Sequence, residues 1–202
     1  MAVTLVITEH SGALSRETHA HYEAVRARLE LAADAPVTTV QYEDVESLDG
    51  ADAVVLSGSF APWATHSPDA IDRLGDAVRG YDGPMLGICA GMQLQARFAG
   101  GTIRHSPGGL KTGFSAIEVV EHDALLRGLS SRIDVYQHHG DEIEELPAGF
   151  RILARSENCA VEAIVVPARR WWGTQFHPEE FDDAHPAGER ILRNFFELAR
   201  GS

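Results

Sequence analysis

Three short, β-branched apolar runs, "VTLVI" (3–7), "ADAVVLSG" (51–58) and "PMLGIC" (84–89), are separated by stretches with helical apolar spacing, and this alternation limits the fold more than any other feature. Bounded apolar runs of this length suit strands buried on both faces. The intervening segments, 15–32 and 67–80, suit helices, the second with Ser67 placed to cap it and Pro68 at its first turn. Strand and helix in turn predict an α/β chain with a doubly wound, mostly parallel sheet and flanking helices. In such a sheet the functional loops gather at the carboxyl ends of the strands. After "GMQLQARFAGG" the pattern becomes strand-like at 114–121, 150–156 and 161–167, so a β-rich second half is expected. The chain then closes on a helix with Ile191, Leu192, Phe195, Phe196 and Leu198 on its packed face.

A chain of 202 residues fits one such domain, spanning 1–202, and can bury a core without disulfides or a structural metal. Its two cysteines, Cys89 and Cys159, are far apart and lack metal-ligand spacing, so each is read alone. A formal charge of -13 opposes nucleic acid or an anionic membrane as partner, because either needs a basic patch. No apolar run reaches the roughly 18 residues of a membrane span. The start, "MAVTLVITEHSG", lacks the basic residues and long apolar stretch of a secretory signal, so a cytoplasmic protein is expected.

Cys89 lies in "GICAGMQ" (87–93), where a strand gives way to the helix-compatible "MQLQARFA". Glycines on either side let the backbone turn sharply, which is the layout of a nucleophile elbow. There the sulfur stands at a helix amino terminus, whose free N–H groups and positive dipole end favour the thiolate. The same groups, beginning with the Ala90 N–H, can stabilise an oxyanion formed when the sulfur attacks a carbonyl. A base and its orienter are found in "QFHPEE" (175–180). His177 and Glu179 stand two apart at the end of another apolar strand and can point the same way.

Both motifs, in this order, resemble those of the class I glutamine amidotransferases, whose elbow reads G-x-C-x-G-x-Q and whose later catalytic pair reads H-P-E. The resemblance runs from about Val54 to the terminal helix. It is greatest to the amidotransferase part of the GMP synthases, through "YQHHGDEIEELPAGFRILARSENCAVEAI" and "WWGTQFHPEE" as well as the elbow. It implies a flavodoxin-like fold and hydrolysis of L-glutamine to glutamate and ammonia through a γ-glutamyl thioester on Cys89, with no cofactor. By the same resemblance His177 shuttles the proton and Glu179 orients it. Gln93 and the backbone around His138 and His139 are implied to hold substrate, with Gly58 and Ser59 near the second oxyanion donor. The implied partner is a separate, ATP-using synthetase of the GMP synthase type that accepts the ammonia.

Three stretches depart from that pattern. The family usually has S-G-G where this chain reads "SGS" (57–59), which puts a side chain at Ser59 where glycine gives backbone freedom. "HHGD" (138–141) replaces S-H-G-D, and "ITEHSG" (7–12) differs from the family's first loop. Two readings therefore stay open beside the ammonia-supplying subunit. One is a hydrolase of γ-glutamyl peptides or amides that acts alone; the other is a regulatory subunit with the same fold and weak catalysis.

Plainer readings hold elsewhere. Cys159 is expected to be a packed thiol. No metal is expected at His138, His139 and Asp141, since adjacent strand residues face opposite ways and no third cluster completes a ligand set. His10, His19, His21, His66, His105, His122 and His185 have no constellation around them. Of Trp171 and Trp172, one is expected inside and one toward a partner or solvent. "SPGG" (106–109) lacks P-loop spacing and reads as a turn.

Overall fold

The computed structural model describes residues 1–201. Its first half runs β1 (Val3–Ile7), α1 (Arg16–Ala33), β2 (Val37–Gln41), β3 (Ala53–Leu56), α2 (Pro68–Gly80), β4 (Met85–Ile88) and α3 (Ala90–Phe98). Seven strands follow: β5 (Thr102–His105), β6 (Lys111–Val119), β7 (Arg132–His139), β8 (Asp141–Glu145), β9 (Arg151–Ser156), β10 (Cys159–Val166) and β11 (Trp171–Thr174). The last helix is α4 (Ala187–Ala199).

Nine strands form one sheet in the order β2-β1-β3-β4-β11-β10-β9-β6-β7, and β5 pairs with β8 apart from it. Neighbours are parallel from β2 to β11 and antiparallel from β11 to β7. The doubly wound α/β architecture and the β-rich second half are both present, joined at β11. Helices α1 and α2 start where short polar side chains can take up their free N–H groups: Ser15 Oγ accepts from Thr18 N–H at 3.1 Å, and Ser67 caps α2 with Pro68 next to it. Left-handed Asp34, at φ 45°, ends α1.

Alternation along the central strands divides the core into two layers. Val55, Leu86 and Trp172 pack with α1 and α4; Val54, Met85 and Trp171 pack on the other face with α2 and Leu94 of α3. Both tryptophans are therefore buried, against the expectation that one would face outward, because β11 lies in mid-sheet between two helical layers. Trp172 keeps its polar edge satisfied by donating from Nε1 to Asp123 Oδ1 at 2.9 Å. On α4, Ile191, Leu192, Phe195 and Phe196 are buried and Leu198 is partly so. Among the described residues no helix is long and apolar enough to cross a membrane.

Candidate active site

Because β1, β3, β4 and β11 are consecutive parallel neighbours, the residues after each emerge side by side at one edge of the sheet. That edge carries Glu9, then Ser57 to Ser59, then Cys89, then Gln175 to Glu179. Cys89 takes φ 50° and ψ -105°, a backbone region that costs a non-glycine residue about 1–3 kcal/mol. Two bonds hold it there: Cys89 N–H donates to Thr174 O at 2.7 Å and Gly91 N–H to Ser57 O at 3.0 Å. A Cβ at Gly91 would lie 2.3 Å from the Leu56 carbonyl oxygen, so only glycine lets α3 approach β3 this closely. The elbow expected from the glycine spacing is thus built between strands on either side.

His177 is tied to β7 by its N–H, which donates to Tyr136 O at 2.8 Å, although β7 lies four strands from β11 in the sheet order. Its Nδ1 lies 2.7 Å from Glu179 Oε1, and both side chains are buried. Burial opposes protonation of the ring, but the Glu179 carboxylate, together with the nearby Cys89 sulfur, outweighs it and holds the His177 pKa well above the ordinary imidazole value. Nε2 has no hydrogen-bond partner among the described residues. The sulfur stands close to the ring but outside hydrogen-bond geometry, an arrangement that commonly tightens only when substrate enters. Arg28 of α1 braces the corner by donating to the carbonyls of Glu179 and Phe181.

A cavity of about 250 Å³ opens beside the sulfur, lined by Ser59, Cys89, Ala90, Gln93, His138 and His139 among others. The N–H groups of Gly58, Ser59 and Ala90 have no partner among the described residues. Gly58 packs against the His177 imidazole, where a Cβ would stand 2.8 Å from Cε1. Ser59 turns its hydroxyl away toward Glu9 Oε1 (3.2 Å) and His66 Nε2 (3.4 Å), and it is not among the positive-φ residues. The serine therefore uses none of the freedom that glycine would bring. Gln93 spends both amide hydrogens on Asp141 O (3.0 Å) and Gln175 Oε1 (3.2 Å), and its Oε1 accepts from Trp63 Nε1 at 3.2 Å. It retains one acceptor site for a ligand. A larger cavity of about 720 Å³, between the start of β7 and α4, contains none of these groups.

The two histidines of "HHGD" do face opposite ways. His138 presents its carbonyl to Cys89 Sγ at 3.8 Å, and burial followed by the charges of His177 and His21 lowers its pKa. His139 turns inward, with Nδ1 bonded to Asp141 O at 3.0 Å, and burial pushes its pKa down to about 4. There it meets Cys159 and Glu162, all three buried with ligand-type atoms within 4.8 Å of one another. Sequence spacing had supplied no third group for His139; β10 supplies two. Burial pushes the Cys159 thiol up to about 12 and raises Glu162, so protons are favoured on both, and Gln137 Nε2 donates to Glu162 at 3.1 Å. Cys159 is packed, as expected.

Several residues at this edge escaped the sequence reading. Gln175 is buried and donates from Nε2 to Cys89 Sγ at 3.5 Å. Its signal was available, since it precedes His177 by two on the same extended segment. Glu9 and Tyr22 carried no such signal, because their relation to 57–61 depends on the pairing of β1 with β3 for Glu9 and on the packing of α1 for Tyr22.

A family model described as glutamine amidotransferase class-I matches residues 17–199. The glutamine-hydrolyzing GMP synthase subunit of Pyrococcus abyssi is 37% identical over 162 residues, 79% of this chain and 81% of that one. Its counterpart in Methanothrix thermoacetophila is 34% identical over 184 residues, 90% of this chain and 92% of that one. A crystal structure from Thermoplasma acidophilum, assigned as the corresponding GMP synthase subunit, matches with a TM-score of 0.80 at 28% identity, covering 100% of this chain and 96% of that one. A glutamine amidotransferase from Thermotoga maritima shares the fold, with a TM-score of 0.76 at 19% identity over 100% and 99% of the two chains. With the elbow and the H-P-E corner at adjacent strand ends and the family match running from α1 to α4, the chain belongs to the class-I glutamine amidotransferases.

Proposed function

We propose that this chain is a cytoplasmic glutaminase that forms one domain over 1–202 and works as one subunit of a larger enzyme. It hydrolyses L-glutamine and passes the ammonia to a separate, ATP-using synthetase of the GMP synthase type. The observation that carries the reading is the meeting, at one edge of the sheet, of strained Cys89, the His177–Glu179 pair and unpartnered backbone N–H groups, with a cavity opening at the sulfur. Relatives that match over most of their length are glutamine-hydrolyzing GMP synthase subunits, which supports the acceptor.

Cys89 attacks the side-chain amide carbon of glutamine as its proton is held by the His177 imidazole, whose pKa lies well above the ordinary value despite burial, while Gln175 Nε2 donates to the sulfur. The carbonyl electrons move onto oxygen, and the Ala90 and Ser59 N–H groups receive that oxyanion. As the C–N bond breaks, the His177 imidazolium protonates the leaving nitrogen and ammonia departs, leaving the γ-glutamyl thioester. Neutral His177 then takes a proton from water, the hydroxide adds to the thioester, and collapse releases glutamate and the thiolate. Glu179 holds the ring in one orientation through Nδ1 throughout.

The regulatory reading rested on Ser59 and the altered first loop; the turned-away Ser59 side chain favours an active site instead. Ammonia release from glutamine, with and without a GMP-type synthetase, tests the proposal. Wild-type protein should release ammonia and Cys89→Ala should not; equal rates would remove Cys89 as nucleophile. Equal turnover of glutamine and other γ-glutamyl amides without any synthetase would favour the hydrolase that acts alone.

A further inference from the structure

Glu9, at the end of β1, is wholly buried, and a buried carboxyl group is tolerated only where donors surround it. Its donors come from the turn that follows β3. Phe60 N–H reaches Oε2 at 2.7 Å, Ala61 N–H reaches Oε1 at 3.1 Å, and the Ser59 hydroxyl reaches Oε1 at 3.2 Å. His10 N–H (3.1 Å, to Oε1) and the Tyr22 hydroxyl (3.4 Å, to Oε2) complete the shell. The carbonyl side of the same turn is held as well: Thr8 Oγ1 donates to Ser57 O at 2.9 Å and Gly58 O at 3.0 Å, and the Tyr22 hydroxyl lies 3.0 Å from Gly58 O. Residue 59 is thus fixed on both flanks while its own N–H stays unpartnered at the cavity that holds Cys89.

We propose that Glu9 is a positioning residue of the oxyanion hole: by binding the Phe60 and Ala61 N–H groups and the Ser59 hydroxyl, it sets the 57–61 turn so that the Ser59 N–H is free beside Cys89. The inference rests on the glutaminase reading. It also joins two departures from the family pattern. A serine stands where glycine is usual, and the unusual first loop supplies the acceptor for its hydroxyl.

Both carboxyl oxygens of Glu9 accept, so Glu9→Gln must set an NH2 group against N–H or O–H donors whichever way the amide lies. In wild-type and Glu9→Gln protein, each assayed with the synthetase, the readouts are kcat and KM for glutamine and the rate at which iodoacetamide alkylates Cys89. Alkylation displaces iodide at carbon and forms no oxyanion. The expected result is a kcat lower by about 10²-fold, the loss associated with one oxyanion donor, with KM within about threefold and alkylation at the wild-type rate. A kcat within about threefold of wild type, or alkylation falling in parallel with kcat, overturns the proposal. If Glu9→Gln does not fold, Tyr22→Phe removes only the hydroxyl between Glu9 and Gly58; it should lower kcat with alkylation unchanged, and an unchanged kcat overturns the proposal. Wild-type protein that releases no ammonia overturns the glutaminase reading and this one with it, whereas active wild type matched by Glu9→Gln overturns this one alone.

Discussion

His177 Nδ1 and Glu179 Oε1 meet at 2.7 Å with both side chains withdrawn from water. Burial alone would drive the ring toward its neutral form, and the carboxylate reverses that. Removing the charge leaves mainly the Cys89 sulfur against burial, so in Glu179→Gln the His177 pKa must fall. The basic limb of the kcat/KM profile, where the imidazolium proton is lost, should move to lower pH. kcat should fall by about 10²-fold or more, since the ring also loses its orienter. A pH–rate profile with an unmoved basic limb would remove Glu179 from this role.

Gly58 and Gly91 are both needed for close approach, but against different neighbours. A Cβ at 58 would meet His177 Cε1 at 2.8 Å, the edge of a side chain that can swing away. Gly58→Ala should therefore fold and lose activity, by roughly 10²-fold if the ring moves by an ångström. A Cβ at 91 meets the Leu56 carbonyl oxygen at 2.3 Å, which is backbone within a central strand. Gly91→Ala should cost about 1–3 kcal/mol in urea unfolding. The reverse pattern, an inactive but undiminished Gly91→Ala beside an unstable Gly58→Ala, would contradict this division.

Cys159, at the start of β10, shares a buried cluster with His139 and Glu162 and does not line the cavity beside Cys89. Its Sγ donates to Val161 O at 3.4 Å, and burial keeps it a thiol. Cys159→Ser keeps a donor of similar size, so glutamine turnover should stay within about twofold of wild type, with a stability loss near 1 kcal/mol. Steady-state assay and thermal melting measure the two. Loss of turnover without loss of stability would mean that this thiol takes part in the chemistry.

The elbow and the H-P-E corner were legible because their constraints are local. Glycines on both sides of Cys89 permit φ 50°, and the spacing of His177 and Glu179 sets two side chains on one side of an extended segment. What brings them together is not local. β11 pairs with β4 although more than eighty residues separate them, and β7 returns to His177 from four strands away. Strand order of this kind is decided by which faces the helices cover, and no short window of sequence records it. The same limit hid Glu9, whose partners at 59–61 lie across the β1–β3 pairing, and it misplaced one of the two tryptophans. Gln175 was within reach, since strand alternation points it the way His177 points.

His139 carries the clearest pH signature in the molecule. Its folded-state pKa is pushed down to about 4 by burial and then by Lys111, whereas an unfolded histidine titrates near 6.5. Between those values the unfolded chain binds a proton that the native site refuses. The stabilisation is therefore fully present above about pH 6.5 and is lost as pH falls toward 4. From about pH 7 to pH 5 the loss from this residue amounts to about 2 kcal/mol. Urea unfolding of wild type and His139→Asn over that range isolates it, because asparagine can still donate toward Asp141 O as Nδ1 does but does not titrate. The variant should show a shallower decline in stability at acid pH, whatever its stability at neutral pH. An equal decline in both proteins would mean that the acid sensitivity arises at other groups and that His139 accepts its proton in the folded state.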